Sequence, residues 1–119
     1  MISILNFINF LYNAKISDGF SVNGLGDSPA SGYMVSLEGY EKVIDHVPSM
    51  GEIICYIEVN YELIWNEQNY IGGWLDGETG KYFLDISENI QDKAEALRIA
   101  AERKQLAIFD LSTFESIYL

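Results

Sequence analysis

The chain has 119 residues, 49% of them hydrophobic, with 18 acidic side chains against 7 basic ones and a net charge of −11. That length supports one domain with its own core, and the hydrophobic content is too high for an intrinsically disordered acidic tail. So few Lys and Arg exclude direct nucleic-acid binding and disfavour an anionic membrane surface, because both need clustered cations.

The excess charge is unevenly placed. Residues 1–92 hold 14 acids and 3 bases, the whole net −11, whereas residues 93–119 hold 4 of each. The single cysteine, Cys55, cannot form an internal disulfide. The apolar stretch 2–12 is interrupted by Asn6 and Asn9, is too short to span a bilayer and lacks the basic start of a signal peptide. A cytoplasmic protein without membrane association is expected.

Residues 3–14 fit a helix, with Ser3, Asn6, Asn9 and Asn13 on one face and Ile4, Leu5, Phe7, Ile8, Leu11 and Tyr12 on the other. Ser17-Asp18-Gly19 is a turn and Phe20-Ser21-Val22 a short strand. Residues 23–32 collect Gly, Pro, Ser and Asn and read as a surface loop. Gly24 and Gly26 match only part of a nucleotide-binding glycine pattern, since the third glycine is missing. Tyr33–Leu37 is extended, and residues 39–47 read as a short helix or a turn-rich excursion ended by Pro48. His46, the lone histidine, has no neighbouring Cys or second His, so no metal site is expected and a solvent-facing or hydrogen-bonded ring is.

Residues 52–64 read as the strongest strand: Ile57, Val59, Tyr61 and Leu63 alternate with Glu58, Asn60 and Glu62, placing the carboxylates on one face. Cys55 falls in its most apolar part, where an inert buried thiol is expected. Residues 70–111 then carry the clearest organisation of the chain. Alternation over residues 70–77, turn chemistry at Gly77-Glu78-Thr79-Gly80 and an extended run over residues 81–86 predict a hairpin. Ser87 and Asn89 are N-cap types for a helix over residues 89–104, with Asp92 in its first turn. Its inward stripe is Ile90, Ala94, Leu97 and Ala101, with Glu95, Arg98 and Glu102 opposite and Arg103 and Lys104 at the carbonyl end. Residues 106–111 read as a buried strand, and residues 112–119 as an edge strand or a docked tail. The expected fold is a single α+β domain, 1–119, whose mostly antiparallel sheet uses strands near 53–63, 70–76, 81–86 and 106–111. The C-terminal helix packs on one face, burying Leu97.

No nucleophile–base set, metal-ligand spacing or phosphate loop is present, so no catalytic residue and no cofactor is assigned. Carboxylates at Glu58, Glu62, Asp76, Glu78 and Asp85 leave a small acid–base enzyme as the alternative, but that chemistry needs two groups in distinct environments at one substrate. The more informative constellation is aromatic and acidic. Glu58, Glu62, Trp65, Glu67, Tyr70, Trp74, Asp76 and Glu78, with Tyr61 among them, fall on what read as adjacent strands and their connection. Tyr and Trp anchor interfaces, and acids around them steer a basic partner.

The stretch IGGWLDGETGKYFLDISENIQDKAEALRIAAERKQLAIFDL, residues 71–111, resembles small uncharacterised proteins encoded by phages and other mobile elements. Shared features are a Gly-Trp hairpin, an LDIS-like extended segment and a helix ending before an AIFDL-like strand. In size and acidity the chain is also similar to phage-encoded inhibitors of host nucleases, including anti-CRISPR and DNA-mimic proteins. The resemblance implies a protein-binding inhibitor that blocks a basic surface of a nuclease or other nucleic-acid-binding defence protein in the host cytoplasm. A phage accessory or assembly factor is the other role it allows. The shared motifs are structural, so the resemblance assigns no site residue.

Overall fold

The computed structural model describes residues 3–119. Its elements are α1 (Ile4–Asn13), a single 3-10 turn (Ile16–Asp18), β1 (Phe20–Val22), β2 (Tyr33–Ser36), β3 (Lys42–Ile44), α2 (Met50–Val59) and α3 (Tyr61–Ile64). They are followed by β4 (Asn69–Leu75), β5 (Tyr82–Ile90), α4 (Lys93–Glu102), β6 (Ala107–Asp110) and β7 (Glu115–Tyr118). The strands form one antiparallel seven-stranded sheet in the order β1-β4-β5-β2-β6-β7, with β3 also on β5. The fold is α+β.

β5 is the spine of the sheet. Along one edge it pairs with β4 from Tyr82 to Glu88; along the other, β3 takes Tyr82 to Leu84 and β2 takes Ser87 to Ile90. The hairpin leading into it closes where Asp76 N donates to Lys81 O at 2.8 Å and Gly80 N to Asp76 O at 2.9 Å. Gly80 has φ +73°, a left-handed conformation that glycine adopts at no steric cost.

Alternation along the strands assigns the two faces of the sheet. On one face Ile71, Tyr82, Leu84 and Ile86 meet Phe7 and Leu11 of α1, Ile53 and Ile57 of α2 and Ile64 of α3. On the same face, farther along, Val35, Ile90 and Ile108 meet Ala96 and Ala100 of α4. All the helices therefore lie on one side of the sheet.

α1 forms where the sequence places it, with Ser3 Oγ accepting from Leu5 N at 3.1 Å as N-cap and Phe7 and Leu11 buried, but Leu5 and Tyr12, expected on the same apolar face, are exposed. The loop over 23–32 is pinned by buried Asn23, whose Oδ1 accepts from Leu25 N and Asp27 N and whose Nδ2 donates to Glu67 O. Residues 39–47, expected to be helical or turn-rich, contain the short strand β3. β7 forms the outer edge beside β6.

Residues 52–64 correct the sequence reading most sharply: they lie in α2 and α3 and form no strand. A capping box starts α2, with Ser49 Oγ accepting from Glu52 N at 3.2 Å and Ser49 N donating to Glu52 Oε1 at 3.0 Å. Ile53, Tyr56, Ile57 and Ile64 then fall at helical spacing into the core, whereas Val59 is 84% exposed. The period-two alternation over residues 57–63 is real but has no sheet to bury it. Cys55 is exposed, because in a helix it turns away from the face that carries Ile53 and Ile57.

α4 also begins later than expected. Asp92 is its N-cap, accepting from Glu95 N at 2.9 Å, while Ser87 and Asn89 belong to β5, which runs on to pair with β2. The buried face is Ala96 and Ala100; Leu97 is half-buried against that cluster, and Ala94 and Ala101 are exposed. Alanines let the helix sit close to Val35 and Ile108, turning the stripe away from the expected positions. β6 buries Ile108 alone, since its other face is open.

Candidate functional site

The side of the sheet opposite the helices is covered by no helix among the described residues, and only Pro29 of the 23–32 loop and Leu111 line its groove from outside the strands. The register puts Ser21 (β1), Tyr70, Gly72 and Trp74 (β4), and Phe83, Asp85, Ser87 and Asn89 (β5) on this face. Beside them stand Met34 and Ser36 (β2), Val43 (β3), Ala107 and Phe109 (β6), and Ser116 and Tyr118 (β7). Small side chains occupy the middle and large ones stand around them, so the face is concave, with a groove of about 530 Å³. These strand positions carry one carboxylate, Asp85, and no Lys or Arg. Large apolar side chains here are exposed to a degree unusual for a sheet face: Trp74 is 50%, Phe109 37% and Tyr118 76% exposed.

The register produces the floor of the groove directly. Gly72 lies opposite Asp85 and next to Ser21, with Tyr70 and Trp74 as its same-face neighbours along β4. A Cβ on residue 72 would stand 2.8 Å from Asp85 Oδ1, so the absence of a side chain there is what gives the carboxylate its place. Asp85 Oδ2 accepts from Ser36 Oγ at 2.9 Å and Ser87 Oγ at 3.2 Å. Oδ1 accepts no hydrogen bond among the described residues. Burial pushes the Asp85 carboxyl above its ordinary range, and the two serine hydroxyls partly oppose that shift. Trp74 stacks on Phe83, centroids 4.4 Å apart and planes 11° from parallel, which fixes its ring at the groove edge.

The structure divides the eight aromatic and acidic positions picked out in the sequence. Tyr70 and Trp74 line the groove. Asp76 and Glu78 sit in the hairpin turn just beyond Trp74, where Asp76 accepts from Glu78 N and Thr79 Oγ1 and is occupied with holding the turn. Glu58 and Glu62, expected on a strand face, are exposed on α2 and α3 and border a shallow recess with Tyr40 and Tyr61. Trp65 follows α3, 60% exposed and edge-on to Tyr61 at 5.9 Å, and Glu67 is exposed in the loop to β4. One continuous patch of all eight does not exist, because Glu58 and Glu62 ride on the helical layer. Only Tyr70 and Trp74 line the open face, with Asp76 and Glu78 at its hairpin end.

In the sequence Asp85 is one hairpin carboxylate among several, Ser87 reads as a helix cap, and Ser21, Ser36 and Gly72 carry no site signal of their own. Ser21 and Ser36 reach the face through strand pairings that no local signal fixes, whereas the hairpin register brings in the others. A hairpin that pairs Asp76 with Lys81 also pairs Trp74 with Phe83, Gly72 with Asp85 and Tyr70 with Ser87.

Two other polar clusters are explained by the fold. His46 bonds Asp45 Oδ1 through Nδ1 at 2.8 Å and Glu52 through Nε2 at 3.1 Å. The Asp45 hydrogen bond, then that of Glu52, raises its pKa. Arg103 pairs with Glu88, tying the end of α4 to β5. Among the described residues no three His, Cys, Asp or Glu side chains converge as a metal site would need, and no helix is long and apolar enough to cross a membrane. No protein-family model matches the chain, nor does any curated protein or solved structure.

Proposed function

We propose that the protein is a non-catalytic binding module that engages a basic surface of another protein through the open face of its sheet. The observation that carries this reading is the uncovered concave face itself. It has exposed aromatic side chains at its edges, one carboxylate at its floor and no cation at its strand positions, in a chain whose net charge is −11. Aromatic side chains supply contact area at low entropic cost, and a preformed sheet limits the ordering that binding requires. Excess negative charge speeds encounter with a cationic partner and weakens with salt, being screened over about 10 Å at 0.1 M.

Asp85 is the only carboxylate lining the groove among the described residues. Acid–base catalysis needs a second group placed at the same substrate, so this geometry favours recognition over the enzyme alternative. Proteins that handle nucleic acid present the Lys and Arg that fit such a face. The reading therefore extends to a phage-type inhibitor that occupies the phosphate-binding surface of a defence protein.

The test is capture from a host lysate at low and high salt, with the wild-type chain beside two variants. Trp74→Ser with Phe109→Ser removes the apolar edges, and Glu58→Lys with Glu62→Lys reverses the helical layer. The expected result is a basic protein retained at low salt, lost with the open-face variant and kept by the helical-layer variant. Retention of no basic protein, or retention that survives the open-face substitutions, would refute the proposal.

A further inference from the structure

We propose that the groove takes up one lysine side chain of the partner protein, with the ammonium seated on Asp85 Oδ1 in the slot above Gly72. This rests on the reading just given and adds the group that is recognised and the residue that recognises it.

The slot is a product of register. Along β4 the open face reads Tyr70, Gly72, Trp74, with Asp85 directly across from Gly72 on β5 and Ser21 directly across on β1. Same-face neighbours on a strand are about 7 Å apart, so the missing side chain at 72 lets the Asp85 carboxylate reach in between the two aromatic rings, where its Oδ1 meets the groove. Asp85 Oδ1 stands at its floor, 2.8 Å from the position a Cβ would take.

The hydrogen-bond inventory then selects the occupant. Oδ2 already accepts from Ser36 and Ser87, which orients the carboxylate and leaves Oδ1 alone facing the opening. A single available oxygen suits a compact ammonium better than a guanidinium, whose fork is matched by two parallel oxygens. Ser21 also lines the groove, and its hydroxyl has no partner among the described residues, giving the ammonium a second acceptor. Trp74, held by Phe83, and Tyr70 stand where the aliphatic stem of a lysine passes, and their rings attract the cation as well.

The chain does not fill the slot itself. Arg103 and Lys104 border a smaller recess on another side of Asp85, together with Glu38 and Glu41. Arg103 is engaged by Glu88 and also reaches the Val35 carbonyl. No strand position of the open face carries a cation that would compete.

The test uses a short neutral-background peptide carrying one lysine between leucines, and the same peptide with norleucine or arginine in its place. Each is titrated into the full-length protein while amide chemical shifts and Trp fluorescence are followed. The lysine peptide should give saturable shifts at Gly72, Trp74, Asp85 and the serines around it. The norleucine peptide should bind about tenfold more weakly, the size expected for losing a hydrogen bond to a charged group. Asp85→Asn, nearly isosteric, should bring the lysine peptide down to the norleucine level. Gly72→Ala, which displaces the carboxylate from its seat between the rings, should weaken the lysine peptide as well, with thermal melting as the check that each variant is folded. Equal binding of lysine and norleucine peptides would overturn the proposal. So would no effect of Asp85→Asn, shifts centred on α2 and α3, or no saturable shift at millimolar peptide. If those results came with a basic partner still lost on the Trp74 and Phe109 substitutions, the open-face reading would stand and the lysine slot alone would fall. Slot binding without such a partner would remove the broader reading instead.

Discussion

Gly72 and Gly73 are adjacent in sequence and face opposite sides of the sheet, so the same substitution at each should have different consequences. A Cβ on residue 73 would lie 2.5 Å from Phe20 Cε1 and 2.7 Å from Tyr82 Oη, on the helix side. Tyr82 is fully buried and its hydroxyl donates to Ile16 O at 2.7 Å, so the ring cannot move without breaking that bond. Overpacking a core costs about 1–3 kcal/mol and a lost hydrogen bond about 1 kcal/mol, while alanine regains about 0.5–1 kcal/mol of glycine's chain entropy. Gly73→Ala should therefore lose about 2 kcal/mol, on the order of 8 °C in Tm. At residue 72 the clash is with the carboxylate of Asp85, the end of a side chain that can swing into the open groove. The two serine hydrogen bonds it gives up are offset by the entropy gained and by the return of a buried carboxylate to water, so Gly72→Ala should stay within about 1 kcal/mol of wild type. Urea unfolding followed by circular dichroism, with unchanged m-values, measures both. Equal losses at the two positions would contradict the assignment of a packed face and an open face.

Asp85 is held above the unfolded carboxylate value by burial, so between the unfolded value near 3.8 and the raised folded value the unfolded chain has released a proton that the fold keeps. Stability contributed at this site therefore falls as pH rises through that window, and Asp85→Asn should be more stable than wild type at pH 7, with the gap closing toward pH 3. A variant less stable at neutral pH would show that the carboxylate supports the fold. Ser49→Ala removes the N-cap of α2 and should cost about 1 kcal/mol in chemical unfolding; no loss would argue against the capping box. Ala96→Leu should cost about 1–3 kcal/mol by forcing α4 off Val35 and Ile108, whereas the same change at exposed Ala94 should leave the midpoint in place.

The C-terminal half was legible because its signals are local. Gly77 to Gly80 announce the turn, and the register that follows from it already contains the groove: Tyr70, Gly72 and Trp74 against Ser87, Asp85 and Phe83. α4 starts later than its cap types suggest because Ser87 and Asn89 are good caps in isolation, and only their pairing with Ser36 and Met34 makes them strand. Residues 52–64 depart from their sequence pattern for a related reason. β-branched residues in alternation favour a strand until Ser49 and Glu52 close a capping box and the sheet offers a surface to Ile53, Tyr56 and Ile57 at helical spacing. The helical fold of this stretch also divides the candidate site, carrying Glu58 and Glu62 onto the helical layer. The openness of one sheet face was the least legible feature, since it depends on all the helices choosing the same side.

The most direct measurement is the footprint of the captured partner on this chain, mapped by amide chemical-shift perturbation of the isotopically labelled protein. The expected result is perturbation concentrated on the open-face positions of β4, β5 and β2, with Gly72, Trp74 and Asp85 at its centre and α2 and α3 unchanged. Perturbation centred on Glu58, Glu62 and Trp65, with Gly72 and Asp85 unaffected, would mean that the partner binds the helical layer and that the open sheet face is not the binding surface.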